Sequence, residues 1–317
     1  MSTLFSTFLQ KYNEIAPQET DFTEVLSTIA VKPKKLYFYG KIPQNGSFCG
    51  AEMSQNRADL PAKRPPVLAI VGSRKPTAYG RKIAYELATA AARRGAVIVS
   101  GLAYGIDAAA HRATLEADGI TVAVMGTPID QVYPREHLGL AAEIVKQGGA
   151  VMSELAPGAA FHPKACFLAR NRLIAGLSDV VVIPEAAERS GSLNTAAHAI
   201  EQGREVFAAP GDIDKPYSKG CNQLIRQGAM PYLEPGDVLD LLFPPERKKK
   251  RANAPQLLFG DTPAETKLLR LLATGVSEGE ELIRQAELEP AVFNQTITLL
   301  EIKGRVRALG ANRWMVK

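Results

Sequence analysis

The sequence is poor in the residues that build disulfide frameworks and metal sites. Its 317 residues include only three cysteines, four histidines and one tryptophan. Cys49, Cys166 and Cys221 have no metal-ligand spacing and cannot all pair with one another, so we expect a reducing cytoplasm rather than secretion. Because the histidines are scattered and form no His-Glu-x-x-His motif, the sequence predicts no metal site.

Long apolar runs and a strong charge of one sign are also missing. No segment approaches the roughly 18 apolar residues of a membrane helix, and no basic stretch followed by an apolar one opens the chain. We therefore expect a soluble, cytoplasmic protein with no membrane partner. The formal net charge of +5 is a mild excess, which suits nucleic acid but equally an ordinary basic enzyme.

Short runs rich in Val and Ile, separated by helix-period segments, dominate the middle of the chain. These runs are residues 67–71, 96–99, 120–125, 150–152, 180–183 and 205–208. Their alternation with helical patterns predicts an α/β fold, a Rossmann-like parallel sheet flanked by helices. Since the runs are apolar throughout, we expect both faces of the sheet to be buried.

The α/β pattern leaves the two ends of the chain unassigned. A core domain is predicted over residues 67–243, and residues 1–66, with a helix-like pattern at 5–15 and an apolar run at 36–39, are interpreted as an appendage. After the core, residues 244–260 carry a proline-bounded run of five cations. We interpret this segment as a linker that is either solvated or follows phosphates.

The last residues, 261–317, follow the order of a winged helix. A capping box with proline at the first helical position opens the first of three helical patterns, and a hairpin follows them. We therefore predict a small C-terminal winged-helix domain. The hairpin cations Arg305, Arg307 and Arg313 either contact DNA or are solvated.

Three turns between predicted strands and helices are rich in glycine and hydroxyl side chains. They are Gly72-Ser73-Arg74-Lys75, residues 100–107 with Gly101, and residues 185–195 with Arg189-Ser190-Gly191-Ser192. Because the first N–H groups of a helix and its dipole attract anions, these turns predict a polyphosphate ligand. No Walker A or Gly-x-Gly-x-x-Gly pattern is present, and the serines lack a nucleophile elbow. We predict no catalytic residue and no cofactor, and Ser190 is interpreted as a helix cap.

The densest cationic segment follows the fourth apolar run. If it is helical, Lys164, Phe167 and Asn171 share one face, flanked by Arg170 and Arg172. An aromatic ring beside cations suits single-stranded nucleic acid, whose bases stack and whose phosphates need neutralising. The alternative is an arginine that pairs internally with Glu185 or Asp179, and a phenylalanine in the core. The segment alone leaves both open, but further cations at neighbouring strand ends favour binding, because ligands of open α/β sheets lie outside those ends.

A series of short motifs follows along the predicted core. They are Ala69-Ile-Val-Gly72-Ser-Arg74, Val99-Ser-Gly101-Leu-Ala-x-Gly105-Ile-Asp107, Tyr133-Pro134, Ser153-Glu154, Arg170-Asn-Arg172-Leu-Ile-Ala-Gly-Leu-Ser178, Glu185-Ala-x-x-Arg189-Ser-Gly-Ser-Leu193, Gly203-Arg-Glu-Val-Phe207, Pro210-Gly211 and Ser218-x-Gly220-x-Asn222-x-Leu-Ile225. Spanning about residues 66–243, they resemble the DNA-processing protein A family, also called Smf. The resemblance implies a single-stranded DNA-binding protein with an extended Rossmann-like domain. It also implies a homodimer that hands incoming strands to the RecA recombinase in natural transformation, without catalysis.

By position, the resemblance implies that the first loop and the cationic segment line the DNA pocket and that the third turn forms its floor. The complete predicted site is Gly72, Ser73, Arg74, Lys75, Gly101, Lys164, Phe167, Arg170, Asn171, Arg172, Arg189, Ser190, Gly191 and Ser192. A competing interpretation is a nucleotide phosphoribohydrolase of the same broad fold. Its Pro-Gly-Gly-x-Gly-Thr-x-x-Glu motif is not matched, since His198 stands in place of the glutamate. A nucleotide-sensing module without turnover is a third interpretation.

Overall fold

The part of the chain that the structure describes, residues 12–44, 64–244 and 260–316, contains a nine-stranded sheet. The structure is a computed structural model, in which the chain divides into two compact units, Met1–Pro244 and Pro245–Lys317. The strands of the first unit are β1 (Asn13–Ile15), β2 (Leu36–Gly40), β3 (Val67–Ile70), β4 (Val97–Ser100), β5 (Thr121–Met125), β6 (Ala150–Ser153), β7 (Val180–Ile183), β8 (Glu205–Ala208) and β9 (Met230–Pro231). Their order across the sheet is β1-β2-β6-β5-β4-β3-β7-β8-β9.

Helices cover both faces of this sheet. They are α1 (Asp21–Glu24), α2 (Ala78–Arg93), α3 (Ile106–Glu116), α4 (Leu138–Lys146), α5 (Pro163–Leu177), α6 (Gly191–Glu201), α7 (Lys219–Arg226) and α8 (Pro235–Leu242). Val67 and Ala69 of β3 belong to a core shared with α5 and α6, whereas Leu68 and Ile70 belong to one shared with α2 and α8. Both faces of β3 are therefore buried, as its continuous apolar run predicts. No helix among the described residues is long and apolar enough to cross a lipid bilayer.

The direction in which the strands are added reverses in the middle of the sheet. From β3 the chain adds β4, β5 and β6 on one side, then returns to add β7, β8 and β9 on the other, and all these neighbours are parallel. The predicted parallel α/β fold is therefore confirmed. The reversal lies between β3 and β7, and in open α/β sheets such a switch point marks the ligand crevice at the carboxyl ends of the strands.

Residues 12–44 contribute two strands to the sheet, which corrects their interpretation as an appendage. β2 runs antiparallel to β6, and β1 runs antiparallel to β2 with Ile15 opposite Leu36. Residues 13–15 form a strand where the sequence pattern predicts a helix, because pairing with β2 buries Ile15 against the sheet. The rest of that predicted helix, residues 5–11, lies outside the described residues.

Three helices followed by a hairpin make up the described part of the second unit, residues 260–316. They are α9 (Pro263–Ala273), α10 (Gly279–Ala286), α11 (Pro290–Ile302), β10 (Val306–Gly310) and β11 (Arg313–Val316). The Thr262 hydroxyl accepts a hydrogen bond from the Glu265 amide at 3.2 Å and so caps α9, as the sequence predicts. The predicted winged helix is confirmed, whereas the basic run within residues 245–259 lies outside the described residues.

Candidate nucleic-acid interface

A shallow depression opens at the carboxyl end of β3, beside the switch point. It has a volume of about 600 Å³ and is lined by Arg74, Lys75, Pro76, Arg81, Tyr104 and Gly105. Arg74 and Lys75 lie in the loop after β3, and Arg81 lies in the first turn of α2. All three are exposed, and none of them forms an ion pair with another described residue. Their positive charge is therefore available to a ligand.

An aromatic ring on α5 meets this cationic loop. The guanidinium carbon of Arg74 lies 5.6 Å from the centre of the Phe167 ring, within the range of a cation–π interaction. The Phe167 ring also lies 5.5 Å from the Tyr133 ring, centre to centre. A Cβ at Gly126 would approach a Phe167 ring carbon to 2.5 Å, so the missing side chain makes room for the ring. Lys164, exposed one helical turn earlier, adds a further cation.

The loop after β7 brings Arg189 to the same edge of the sheet. Arg189 is exposed and immediately precedes Ser190, whose hydroxyl accepts a hydrogen bond from the Ser192 amide at 3.3 Å. The interpretation of Ser190 as the cap of α6 is therefore confirmed. The side-chain amide of Asn171 donates to the Gly191 carbonyl at 3.2 Å, so α5 holds the first turn of α6.

Arg170 is buried, which corrects the expectation that it contacts a ligand. One guanidinium nitrogen, Nη1, donates to the Gly101 carbonyl at 2.9 Å and to the Val124 carbonyl. Burial lowers the pKa of Arg170 to about 10, although the nearby Asp107 carboxylate favours the charged form. Because its donors point into the protein, Arg170 shapes the loop after β4 and offers little to an external phosphate.

The two residues that follow Arg170 require the same correction. Arg172 donates from Nη2 to Glu154 Oε1 at 2.7 Å and from Nε to the Val31 carbonyl at 3.0 Å. Asn171 is turned towards α6 in the way described above. Both side chains are buried, so they position α5 rather than present charge to DNA. The alternative of an arginine with an internal carboxylate partner thus holds for Arg172, but the partner is Glu154 and neither Glu185 nor Asp179.

The turns after β3 and β4 are not open anion sites, which corrects the prediction of a polyphosphate held by their amides. The Asp107 carboxylate accepts hydrogen bonds from the Gly101 amide at 3.0 Å and the Ala103 amide at 3.4 Å. The Glu185 carboxylate accepts from the amide and the hydroxyl of Thr77, at the N-terminus of α2. Both carboxyl groups are buried. The amides of Gly101, Ala103 and Thr77 are therefore already occupied.

The predicted site residues divide into two groups by exposure. The exposed or half-buried residues are Gly72, Arg74, Lys75, Lys164, Phe167, Arg189, Ser190 and Gly191. The buried residues are Ser73, Gly101, Arg170, Asn171, Arg172 and Ser192. We refer to the exposed cations of this edge as the outer cations, and they are Arg74, Lys75, Arg81, Lys164 and Arg189.

Two protein-family models match the sequence that builds this edge and the small second unit. The model of DNA recombination-mediator protein A matches residues 56–243, more than half of the chain. The chain belongs to the DNA recombination-mediator protein A family. The model of the DprA winged helix domain matches residues 252–312, in agreement with the fold of the second unit.

Curated members of this family are similar over the α/β core. Protein Smf of Escherichia coli is 47% identical over 178 residues, which are 55% of this chain and 46% of the relative. DNA processing protein DprA of Bacillus subtilis is 44% identical over 180 residues, 57% of this chain and 59% of the relative. The chain thus spans about half the length of the curated relatives it matches.

Two solved structures of the family have a similar fold. DNA processing protein A from Streptococcus pneumoniae superposes with a TM-score of 0.60 at 37% identity, over 74% of this chain and 75% of that chain. DNA processing protein A from Helicobacter pylori superposes with a TM-score of 0.58 at 30% identity, over 73% and 95%. The second structure concerns the single-stranded DNA binding mode of the Helicobacter protein.

Sequence reasoning missed three residues that lie at this edge. Arg81 and Tyr104 line the depression, and the Tyr133 ring contacts the Phe167 ring at a tilt of 40°. The two tyrosines are 41% and 49% exposed, so their rings are accessible to a ligand. Their signal in the sequence is an aromatic residue shortly after an apolar run, within or beside a glycine- or proline-containing turn.

Proposed function

We propose that the carboxyl edge of this sheet binds single-stranded DNA. The observation that supports this most is the contact set of Arg74, Phe167 and Tyr133, in which a cation and two aromatic rings meet beside an open depression. Stacking on aromatic rings serves any base, and the backbone needs cations that follow it. Duplex bases are already stacked and paired, so the rings favour a single strand.

The phosphates are bound by side chains in this proposal. The buried carboxylates of Asp107 and Glu185 use the amides of the two turns, which leaves the outer cations to neutralise the backbone. Contacts of this kind release counterions, so affinity should fall steeply with salt, with a slope of about −0.7 per neutralised phosphate for single strands.

The wider role proposed for the protein follows the family. We propose that it acts in the cytoplasm without catalysis, that it protects incoming single strands in natural transformation, and that it loads a RecA recombinase onto them.

We also propose a homodimer. Leu233 and Leu241, exposed by 72% and 48% beside the short edge strand β9, offer apolar surface for a second copy. Light scattering of the full chain, with a Leu241→Lys variant that should dissociate, tests the dimer.

The DNA proposal is tested by fluorescence anisotropy of a labelled single-stranded oligonucleotide titrated with the full chain at two salt concentrations. Unlabelled duplex serves as the competitor, and nucleoside monophosphates are incubated with the protein as a control for hydrolysis. We expect salt-sensitive binding that excess duplex displaces poorly, and no release of ribose phosphate. Absence of binding would overturn the proposal, and release of free base would favour the phosphoribohydrolase interpretation.

A further inference from the structure

Two buried carboxylates occupy positions at which open α/β sheets hold phosphate. Loops and helix N-termini beside a switch point offer backbone amides, and helices add their dipoles. Here the amides of Gly101 and Ala103 donate to Asp107, and the Gly72 amide also favours its charged form. Burial raises the pKa of Asp107, and the nearby Arg170 opposes that rise.

The second carboxylate, that of Glu185, reaches the N-terminus of α2 from the loop after β7. Both of its oxygens lie 3.1 Å from the Thr77 amide nitrogen, and the Thr77 hydroxyl donates to it as well. A Cβ at Gly80 would lie 2.8 Å from Glu185 Oε2, so the first turn of α2 admits the carboxylate because residue 80 is glycine. The Ser73 amide donates to the Glu185 carbonyl at 2.8 Å, which ties the same residue to the loop that carries Arg74.

We propose that Asp107 and Glu185 are resident anions that take the place of phosphate and so determine which ligands this edge accepts. A phosphate approaching the same amides would meet a fixed carboxylate at hydrogen-bonding distance, and like charges in a poorly solvated site repel strongly. Inorganic phosphate and the phosphates of free nucleotides are therefore kept away from these amides. A DNA backbone is held through the outer cations alone, a role that rests on the proposed function.

Removing either carboxylate while keeping the amides creates an anion site. In Asp107→Ala, the Gly101 and Ala103 amides lose their shared acceptor, and the Arg170 guanidinium loses a nearby opposite charge. In Glu185→Ala, the N-terminus of α2 loses its partner. A small anion that fills the vacated space restores these hydrogen bonds and stabilises the folded state, because it binds that state alone.

Thermal unfolding of the full-length wild type, Asp107→Ala and Glu185→Ala tests this inference. Melting is followed at rising concentrations of acetate or phosphate, with chloride keeping the ionic strength constant. Both variants should melt below the wild type without the anion, and at about ten times its dissociation constant the anion should raise their melting temperature by about 3 °C or more. Asp240→Ala, which removes an exposed carboxylate of α8, is the matched control and should show no such rise.

The inference is overturned if folded alanine variants gain nothing from any of these anions, or if the wild type and the control gain as much as the variants. If neither alanine variant folds, calorimetric titration of the wild type with AMP and with phosphate decides. Absence of saturable phosphate binding supports resident anions, and saturable phosphate binding contradicts them, whatever the result with AMP. Failure of the wild type to bind DNA, with anion rescue intact, refutes the proposed function but not this inference.

Discussion

The outer cations and the buried charged residues at the carboxyl edge of the sheet differ in their exposure to solvent and in their pairing. The outer cations are exposed, and none of them is ion-paired with a described residue. The buried charges all have partners inside the protein. Arg170 donates to backbone carbonyls, Arg172 pairs with Glu154, and Asp107 accepts from backbone amides.

This difference means that the outer cations can bind a ligand, whereas the buried charged residues position the surrounding backbone. An exposed cation remains solvated when the chain folds, so it can stay unpaired and attract a polyanion. A buried charge is costly unless it is paired and hydrogen-bonded, so its position is determined by internal partners. The two groups should therefore respond differently to substitution, the buried one in stability and the outer one in DNA affinity.

Among the buried charged residues, we expect the loss of Arg170 to lower the stability of the protein most. In Arg170→Ala the Gly101 carbonyl loses a donor and the Asp107 carboxylate loses its nearby cation, so the free energy of unfolding should fall by about 3–5 kcal/mol. Urea unfolding measures this loss. Arg189→Ala, an outer cation, is the control and should change stability by less than about 0.5 kcal/mol. Equal losses in the free energy of unfolding for the two substitutions would contradict the assignment of Arg170 to a positioning role.

The buried residue His111 should make the stability of the protein depend on pH. His111 lies in α3 with Nδ1 2.7 Å from the Thr121 hydroxyl, and burial lowers its pKa from 6.5 to about 3. Below pH 6.5 the unfolded chain therefore binds a proton that the folded protein refuses, so stability present above that pH is lost as the pH falls. The loss should be about 1.4 kcal/mol per pH unit, or about 2 kcal/mol at pH 5.

Urea unfolding of wild type and His111→Gln between pH 8 and pH 5 isolates this contribution. The variant should be less stable at pH 8, because the residue is fully buried, but it should lack this part of the acid-dependent loss. Parallel stability curves for the two proteins would show that His111 does take up a proton in the folded state.

The aromatic part of the interface is tested by Phe167→Leu. Leucine keeps apolar volume against Gly126 but cannot stack on a base, so affinity for single-stranded DNA should fall by about 1–3 kcal/mol. The dependence of affinity on salt should stay unchanged, because no charge is removed. Tyr12→Leu, which removes an exposed aromatic ring beside β1, is the matched control and should bind like wild type. A changed salt slope in Phe167→Leu would contradict a stacking role.

Much of the fold could be predicted because most strands carry their own signal. β7, for example, is apolar at every position, as a strand buried on both faces must be. β2 could not be placed in the sheet, since Leu36 and Tyr39 are buried while Tyr37 and Phe38 are half-exposed, and its neighbour β6 lies far along the chain. β9 has only two residues, too few for any periodicity.

The site was harder to predict than the fold, because its charges look alike in sequence. Arg74 and Arg170 both lie in segments expected at the carboxyl edge, yet one is exposed and the other buried. Gly101 allows Arg170 to be buried, since a Cβ at residue 101 would lie 2.7 Å from both terminal guanidinium nitrogens and from Asp107 Oδ2. The spacing of residues along the sequence cannot predict such a close approach between segments that are far apart in the chain.

Whether the outer cations bind the DNA backbone is tested by the salt dependence of single-stranded DNA binding by wild type, Arg74→Ala and Lys146→Ala. Lys146 is an exposed cation at the end of α4, just before β6 begins, and therefore lies at the opposite edge of the sheet. We expect the slope of log affinity against log salt to become shallower by about 0.7 in Arg74→Ala and to stay unchanged in Lys146→Ala. Equal slopes for Arg74→Ala and wild type would contradict the assignment of DNA binding to the outer cations.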